Sequence, residues 1–152
     1  MSIWVTRARP KTDRIACPWL ITKFIDPDAE IHFVPANQVL THAAATGGIS
    51  FDAPGADYTH QPAPDGSGEW CSFETLVHAF RLDTDPAVAE LARMVHAADV
   101  SADVHTHPYG AGLSAIGDGG PAAVRDDQEL LARASFVYDA LYAHCQANLN
   151  RA

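Results

Sequence analysis

The chain has 152 residues, 10 Lys and Arg against 19 Asp and Glu, a net charge of −9 and 8 histidines. That length fits one domain, long enough to bury about 68–70% of its unfolded surface without disulfides or a structural metal. A 47% hydrophobic content excludes wholesale disorder, and the acidic balance excludes a general nucleic-acid binder and opposes long-range attraction of anionic lipids. No stretch approaches the ~20 apolar residues of a membrane span. The opening MSIWVTRARPK lacks the apolar segment of a signal peptide. Cys17, Cys71 and Cys145 are odd in number and form no C-x-x-C pair, so the expectation is a reduced, cytoplasmic protein without a disulfide framework.

In chain order, residues 3–6 (Ile-Trp-Val-Thr) predict a first strand. Pro18 suits the first turn of a helix whose stripe is Leu20, Ile21, Phe24 and Ile25, ended by Asp26-Pro27-Asp28. Residues 31–34 predict a second strand, 36–46 an Ala-rich helix stopped by Gly47-Gly48, and 49–52 a third strand. Residues 53–69 form a long Pro/Gly-rich loop, a class that is often functional.

The second half reads as helical. Phe73, Leu76, Val77 and Phe80 follow helical spacing after Ser72, an available N-cap. Thr84-Asp85-Pro86 opens a helix with Val88, Leu91, Ala92 and Val95 on one face. Residues 105–121 are glycine-rich and fit helix or loop equally. Asp126-x-x-Glu129 resembles a capping box ahead of a long amphipathic helix carrying Leu130, Leu131, Ala134, Val137, Tyr138, Leu141, Tyr142 and Cys145. The order predicts a single α+β domain over 1–152: a small, mostly N-terminal β-α-β-α-β sheet packed with a helical C-terminal half.

Two stretches carry candidate chemistry. Arg7, Arg9, Lys11 and Arg14 concentrate basic charge ahead of a helix start, where free N–H groups favour anions. The same charges could instead pair with the acidic surface. Cys17 falls near the expected N-cap, a position that lowers a thiol pKa, unless it packs in the core. The second stretch is His96-x-x-Asp99. On a continuing helix Asp99 lies about 20° from Val88, so it is a buried carboxylate needing a cation, a donor or water. His96 neighbours it at i−3. His60 in the Pro/Gly loop could add a ligand, with Glu74 or Cys71 as further candidates; imidazole plus carboxylate suits zinc, iron or manganese. H-x-x-D also occurs on ordinary surface helices. His32, His42, His78 and His144 receive no role, and His105-x-His107 fits a solvent-exposed loop equally well. No G-x-S-x-G, Walker A, Rossmann glycine pattern or H-E-x-x-H is present.

The stretch RPKTDRIACPWLI (9–21), followed by Phe24-Ile-Asp-Pro27, closely resembles the C-terminal domain of the ChrB chromate-resistance family. So do Phe51-Asp-Ala-Pro-Gly55, His60, Cys71-Ser-Phe-Glu74, Val95-His-Ala-Ala-Asp99, Asp126-Asp127 and Val137-Tyr-Asp-Ala-Leu-Tyr142, in family order across residues 3–145. Full-length members resemble chromate-responsive regulators with a further N-terminal half that this sequence does not contain. The His60-to-Cys71 segment is longer than the family's usual spacing, and residues 100–121 match less.

With the resemblance added, the expectation is a stand-alone domain binding a divalent metal (zinc, iron or manganese) through His60, His96 and Asp99. Glu74 would be a further ligand or a catalytic base, and Arg7, Lys11 and Arg14 would hold a small oxyanion. One alternative is a small enzyme of unassigned substrate using the metal as Lewis acid. Another is an accessory protein-interaction domain, with the 126–147 helix as a homodimer face.

Overall fold

The computed structural model describes residues 1–151. Strand β1 (Ile3–Arg7) lies between β2 (Glu30–Val34) and β3 (Ile49–Ser50), all parallel. Trp4 pairs with Ile31 on one side and Ile49 on the other. Both faces of β1 are buried, as a parallel sheet requires. Val5 packs with Val39, Ala43 and Ala53 beneath helix α2 (Val39–Thr46). Trp4 faces the main core, where it meets Phe51, Tyr58 and Phe80. The α+β class with an N-terminal sheet and a helical second half is therefore what the chain adopts.

The first helix departs from its expected start. Helix α1 spans Thr12–Leu20 with Pro18 inside it, and a π-helical turn continues through Ile25. An interior proline costs about 3 kcal/mol. Ile15, Trp19, Leu20 and Ile21 are all buried, and at roughly 1.5–3 kcal/mol for each buried large side chain they outweigh that cost. The turn then widens: Asp26 N–H donates to the Ile21 carbonyl at 2.8 Å, and Thr22 Oγ1 donates to the Pro18 carbonyl at 2.9 Å. Helix α2 ends as expected on Gly47, which has φ +67°.

The long Pro/Gly segment contains a short hairpin, β4 (Gln61–Pro62) with β5 (Glu69–Trp70), turned through Gly66 and Gly68. Asp57 accepts from Ser50 N–H and Oγ, and Thr75 Oγ1 donates to the Thr59 carbonyl at 2.8 Å. The segment is thus pinned to β3 and to helix α3 (Ser72–Ala79). Cys71, not Ser72, occupies the N-cap of α3.

Helix α4 (Pro86–Asp99) is capped by Asp85, which accepts from Ala87 N–H at 2.8 Å, and its face of Val88, Leu91 and Val95 is fully buried. The glycine-rich stretch resolves as helix α5 (Gly110–Ala123). Its glycines permit close approach: a Cβ on Gly117 would fall 2.3 Å from Thr12 Oγ1, and one on Gly110 2.6 Å from the Val104 carbonyl. Helix α6 (Asp127–Arg151) begins with Asp126 accepting from Glu129 N–H at 2.9 Å. Leu130, Tyr138 and Cys145 on α6 are buried, and Leu131, Ala134, Val137, Leu141 and Tyr142 pack against the same core. Among the described residues no helix is long and apolar enough to cross a membrane.

Candidate functional site

The strand order β2-β1-β3 sends the first crossover to one side of β1 and the third strand to the other. In open parallel sheets such a reversal leaves a crevice beyond the carboxyl ends of the strands, where ligands bind. Here the crevice holds Arg7 from the end of β1, Asp52 just after β3, Asp13 and Arg14 from the first turn of α1, His60 ahead of β4 and Asp99 from the end of α4. Together with Lys11 they line a cavity of about 240 Å³.

His60 is the centre of this group. Its Nε2 lies 3.0 Å from Asp99 Oδ2, 3.3 Å from Asp13 Oδ2 and 3.5 Å from Asp52 Oδ1. Its Nδ1 donates to Glu69 Oε1 at 2.8 Å. Asp13, His60 and Asp99 each offer one ligand atom, all within 4.8 Å of one another.

The carboxylates are held by the local chain. Asp13 accepts from Ser72 N–H at 2.8 Å and Phe73 N–H at 3.3 Å, the free donors at the start of α3. Asp52 has φ +48°, a strained backbone for a non-glycine residue. The conformation is held because Arg7 Nε donates to its carbonyl at 2.9 Å and Ser72 Oγ to its Oδ1 at 2.7 Å.

Burial, then the charges of Asp99 and Asp52, push the Asp13 carboxyl up to about 8. Hydrogen bonds to Asp13, Asp52 and Asp99 raise the His60 imidazole far above its ordinary value. Burial works against the Asp52 charge, but His60, Ser72, Arg7 and Arg14 outweigh it and hold the carboxyl below its usual range. Three carboxylates therefore converge on one imidazole nitrogen, and the raised His60 imidazole, Arg7 and Arg14 supply positive charge beside them.

The expected anion residues border the same cavity, unequally. Arg7 Nη2 pairs with Asp52 Oδ2 at 3.3 Å and Arg14 Nη1 lies 3.7 Å from that oxygen. Arg14 Nε is buried with no hydrogen-bond acceptor, an orphaned donor where the other buried side-chain polar atoms among the described residues are paired. Lys11 is more peripheral: its exposed ammonium sits 3.3 Å from Asp118 on α5. Arg9 serves structure, donating to carbonyls at the end of α5 and to Asp127 at 2.7 Å.

The structure divides the expected ligand set. His60 and Asp99 meet, whereas His96 and Glu74 belong to a neighbouring cluster with Cys71. His96 Nδ1 is 2.5 Å from Glu74 Oε1, and its Nε2 is 2.7 Å from Asp103 Oδ2. Residues three apart on a helix are offset by about 60° and a 4.5 Å rise. His96 and Asp99 use that offset to face different clusters.

A model of the ChrB C-terminal domain matches residues 4–145. The chain belongs to the ChrB C-terminal domain family. It is 34% identical over 141 residues to Protein ChrB of Cupriavidus metallidurans, an alignment covering 93% of this chain and 40% of that protein. The chain thus spans about 40% of the length of the curated relative it matches. No solved structure matches.

Within this ChrB-type domain, sequence reasoning did not single out Asp13 or Asp52. Asp13 was legible in principle. Ala16, Cys17 and Leu20 lie at i+3, i+4 and i+7 from it and are fully buried, so the argument that marks Asp99 also marks Asp13. Starting the helix at Pro18 hid that stripe. Asp52 carries no comparable signal, because its place depends on a left-handed turn after β3. Cys17 also moves: it lies inside α1, not near its cap, and burial raises its thiol well above the ordinary value. His107 is buried, its Nε2 2.9 Å from Glu90 Oε1. His32 and His42 contact each other at 2.9 Å, and His78 stacks on Trp70.

Proposed function

We propose that this ChrB-type domain binds a divalent cation through Asp13, His60 and Asp99, and a small oxyanion beside it through Arg14 and Arg7, with Lys11 at the rim. The observation that carries this reading is His60 Nε2 within 3.5 Å of three carboxylates in a cavity bordered by two guanidiniums. The donor set fits a metal: one imidazole and two carboxylates offer ligand atoms within 4.8 Å of one another, and an ion there would compensate the buried carboxylates directly. Imidazole with two carboxylates suits zinc, iron or manganese. The hydrogen bond from His60 Nδ1 to Glu69 is the outer contact that orients metal-binding imidazoles.

Arg14's buried Nε, lacking an acceptor, supports an anion on the same side. The family's resemblance-based link to chromate resistance makes chromate the first anion to test. Three protein ligands are also the number a catalytic ion keeps, so a screen of small substrates against the metal-loaded protein separates a binding module from a Lewis-acid enzyme. The direct test is the metal content and metal affinity of protein purified without a histidine tag. Stoichiometric zinc, iron or manganese, lowered by His60→Ala and Asp99→Asn, is expected. Protein that neither carries nor takes up any of these ions refutes the cation site. Chromate binding that is unchanged by Arg7→Ala and Arg14→Ala removes those residues from the anion site.

A further inference from the structure

Helix α3 begins with a residue poorly suited to its place. Ser, Thr, Asp and Asn are the effective N-caps, and sulfur is a weak acceptor. Cys71 nevertheless occupies the cap, with its Sγ toward Glu74 N–H, although Ser72 follows immediately. The thiol is fully buried, yet it is grouped with a carboxylate and an imidazole instead of apolar neighbours alone.

A second, independent feature lies in His96. Its Nδ1 points at Glu74, while its Nε2 is held 2.7 Å from Asp103 in the 3₁₀ turn Ser101–Thr106 that follows α4. Metal-bound histidines characteristically give their remote N–H to a carboxylate, which fixes the ring and raises its basicity. The same arrangement recurs at His60, whose remote nitrogen is held by Glu69. The neighbouring cavity, about 500 Å³, is bordered by Trp70, Arg93 and Thr106 beside Glu74 and His96, so solvent or a further ligand can reach those two members of the cluster, with Cys71 buried behind them.

We propose that Cys71 Sγ, Glu74 and His96 Nδ1 form a second metal site, distinct from the Asp13–His60–Asp99 group, with Asp103 as the outer carboxylate. The sulfur donor sets its selectivity. Thiolate and imidazole ligands favour zinc and other thiophilic ions, whereas the two-carboxylate group also accommodates manganese. On binding, Cys71 loses its thiol proton to solvent as the Sγ–metal bond forms, and His96 coordinates as neutral imidazole with its remaining N–H directed at Asp103. This proposal does not rest on the occupancy of the first site.

Co²⁺ titration of the full, chelator-treated chain tests it, because a thiolate ligand produces sulfur-to-cobalt charge-transfer absorption in the near ultraviolet. The wild type is expected to develop that band. Cys71→Ser should abolish it, Asp103→Asn should weaken the band-forming affinity roughly 10–100-fold, and Asp99→Asn should leave it intact. A wild type without the band, or a band that persists in Cys71→Ser, overturns the site. Should Cys71→Ser fail to fold by circular dichroism, His96→Gln and Glu74→Gln carry the test, and unchanged affinity in both refutes the proposal. Failure of the first site reads differently: Asp99→Asn and His60→Ala then leave the band-silent binding unchanged.

Discussion

Asp13 couples the site to the fold through one side chain. Its two oxygens take the N–H groups of Ser72 and Phe73 while one of them also faces His60. Asp13→Ala leaves two buried donors unpaired, a loss of about 1–3 kcal/mol for each. Urea unfolding of the variant should show a lower midpoint, and the variant should lose metal affinity as well. An unchanged midpoint would mean that water replaces the carboxylate without cost. Cys17 provides the opposite case, a residue whose chemistry is suppressed. Its fully buried thiol, raised chiefly by burial, should resist iodoacetamide in the native protein at neutral pH and react only on unfolding. Labelling of native protein at Cys17, located by peptide mass analysis, would contradict this.

At the scale of elements, α5 is the close-packed piece. Gly117 lies against Thr12 at the start of α1, one residue before Asp13, so α5 sets the position of the site's first helix. Gly110→Ala and Gly117→Ala should each lower stability by roughly 1–3 kcal/mol through overpacking. Gly117→Ala should also weaken metal binding, and calorimetry of both variants would distinguish the two effects. The turn after α1 is fixed by Asp26, which accepts from Ser2 N–H and Ser2 Oγ. The hydrogen bond from Ser2 Oγ, with help from Asp28 N–H, depresses its pKa below 3.8. A depressed carboxyl contributes stability above its unfolded value and loses it as pH falls through the folded one. The melting-temperature gap between wild type and Asp26→Asn should therefore be present at pH 7 and shrink below about pH 4. How much was legible follows from the same elements. Short apolar, β-prone runs and helical spacing located the three strands of the parallel sheet and most helices, because they report burial directly, whereas the β4–β5 hairpin lies in a segment read as loop. The α1 start and the α5 helix were obscured because Pro18 and the glycines oppose local propensity and are overruled by packing. Asp99 and His60 were legible as candidate residues, and the structure brings them together. The division of His96 from Asp99 was not, since it depends on where α3 and the 3₁₀ turn place the carboxylates that face His96.

At the scale of the molecule, the proposed cation group would draw one ligand from each of three parts of the chain: Asp13 from α1, His60 from the loop before the hairpin, and Asp99 from the end of α4. An unfolded chain does not hold these together, so ion binding is also a folding contribution. With free metal a hundredfold above Kd, mass action adds about 2.7 kcal/mol. For a chain of this size each kcal/mol moves the midpoint by roughly 2–4 °C, giving an expected rise of roughly 5–11 °C. Mn²⁺ is the suitable probe, because carboxylate and imidazole donors accept it whereas a thiolate-containing cluster favours softer ions. The rise should be reversed by chelator and absent from His60→Ala and Asp99→Asn, while Lys23→Ala, at a surface ion pair with Asp139, should retain it. A rise of equal size in Asp99→Asn would place manganese elsewhere on an acidic surface of net charge −9. Raising ionic strength separates these outcomes further. Surface attraction is screened over a Debye length of about 8 Å at 0.15 M salt, whereas direct coordination in the cavity should retain most of its stabilising effect.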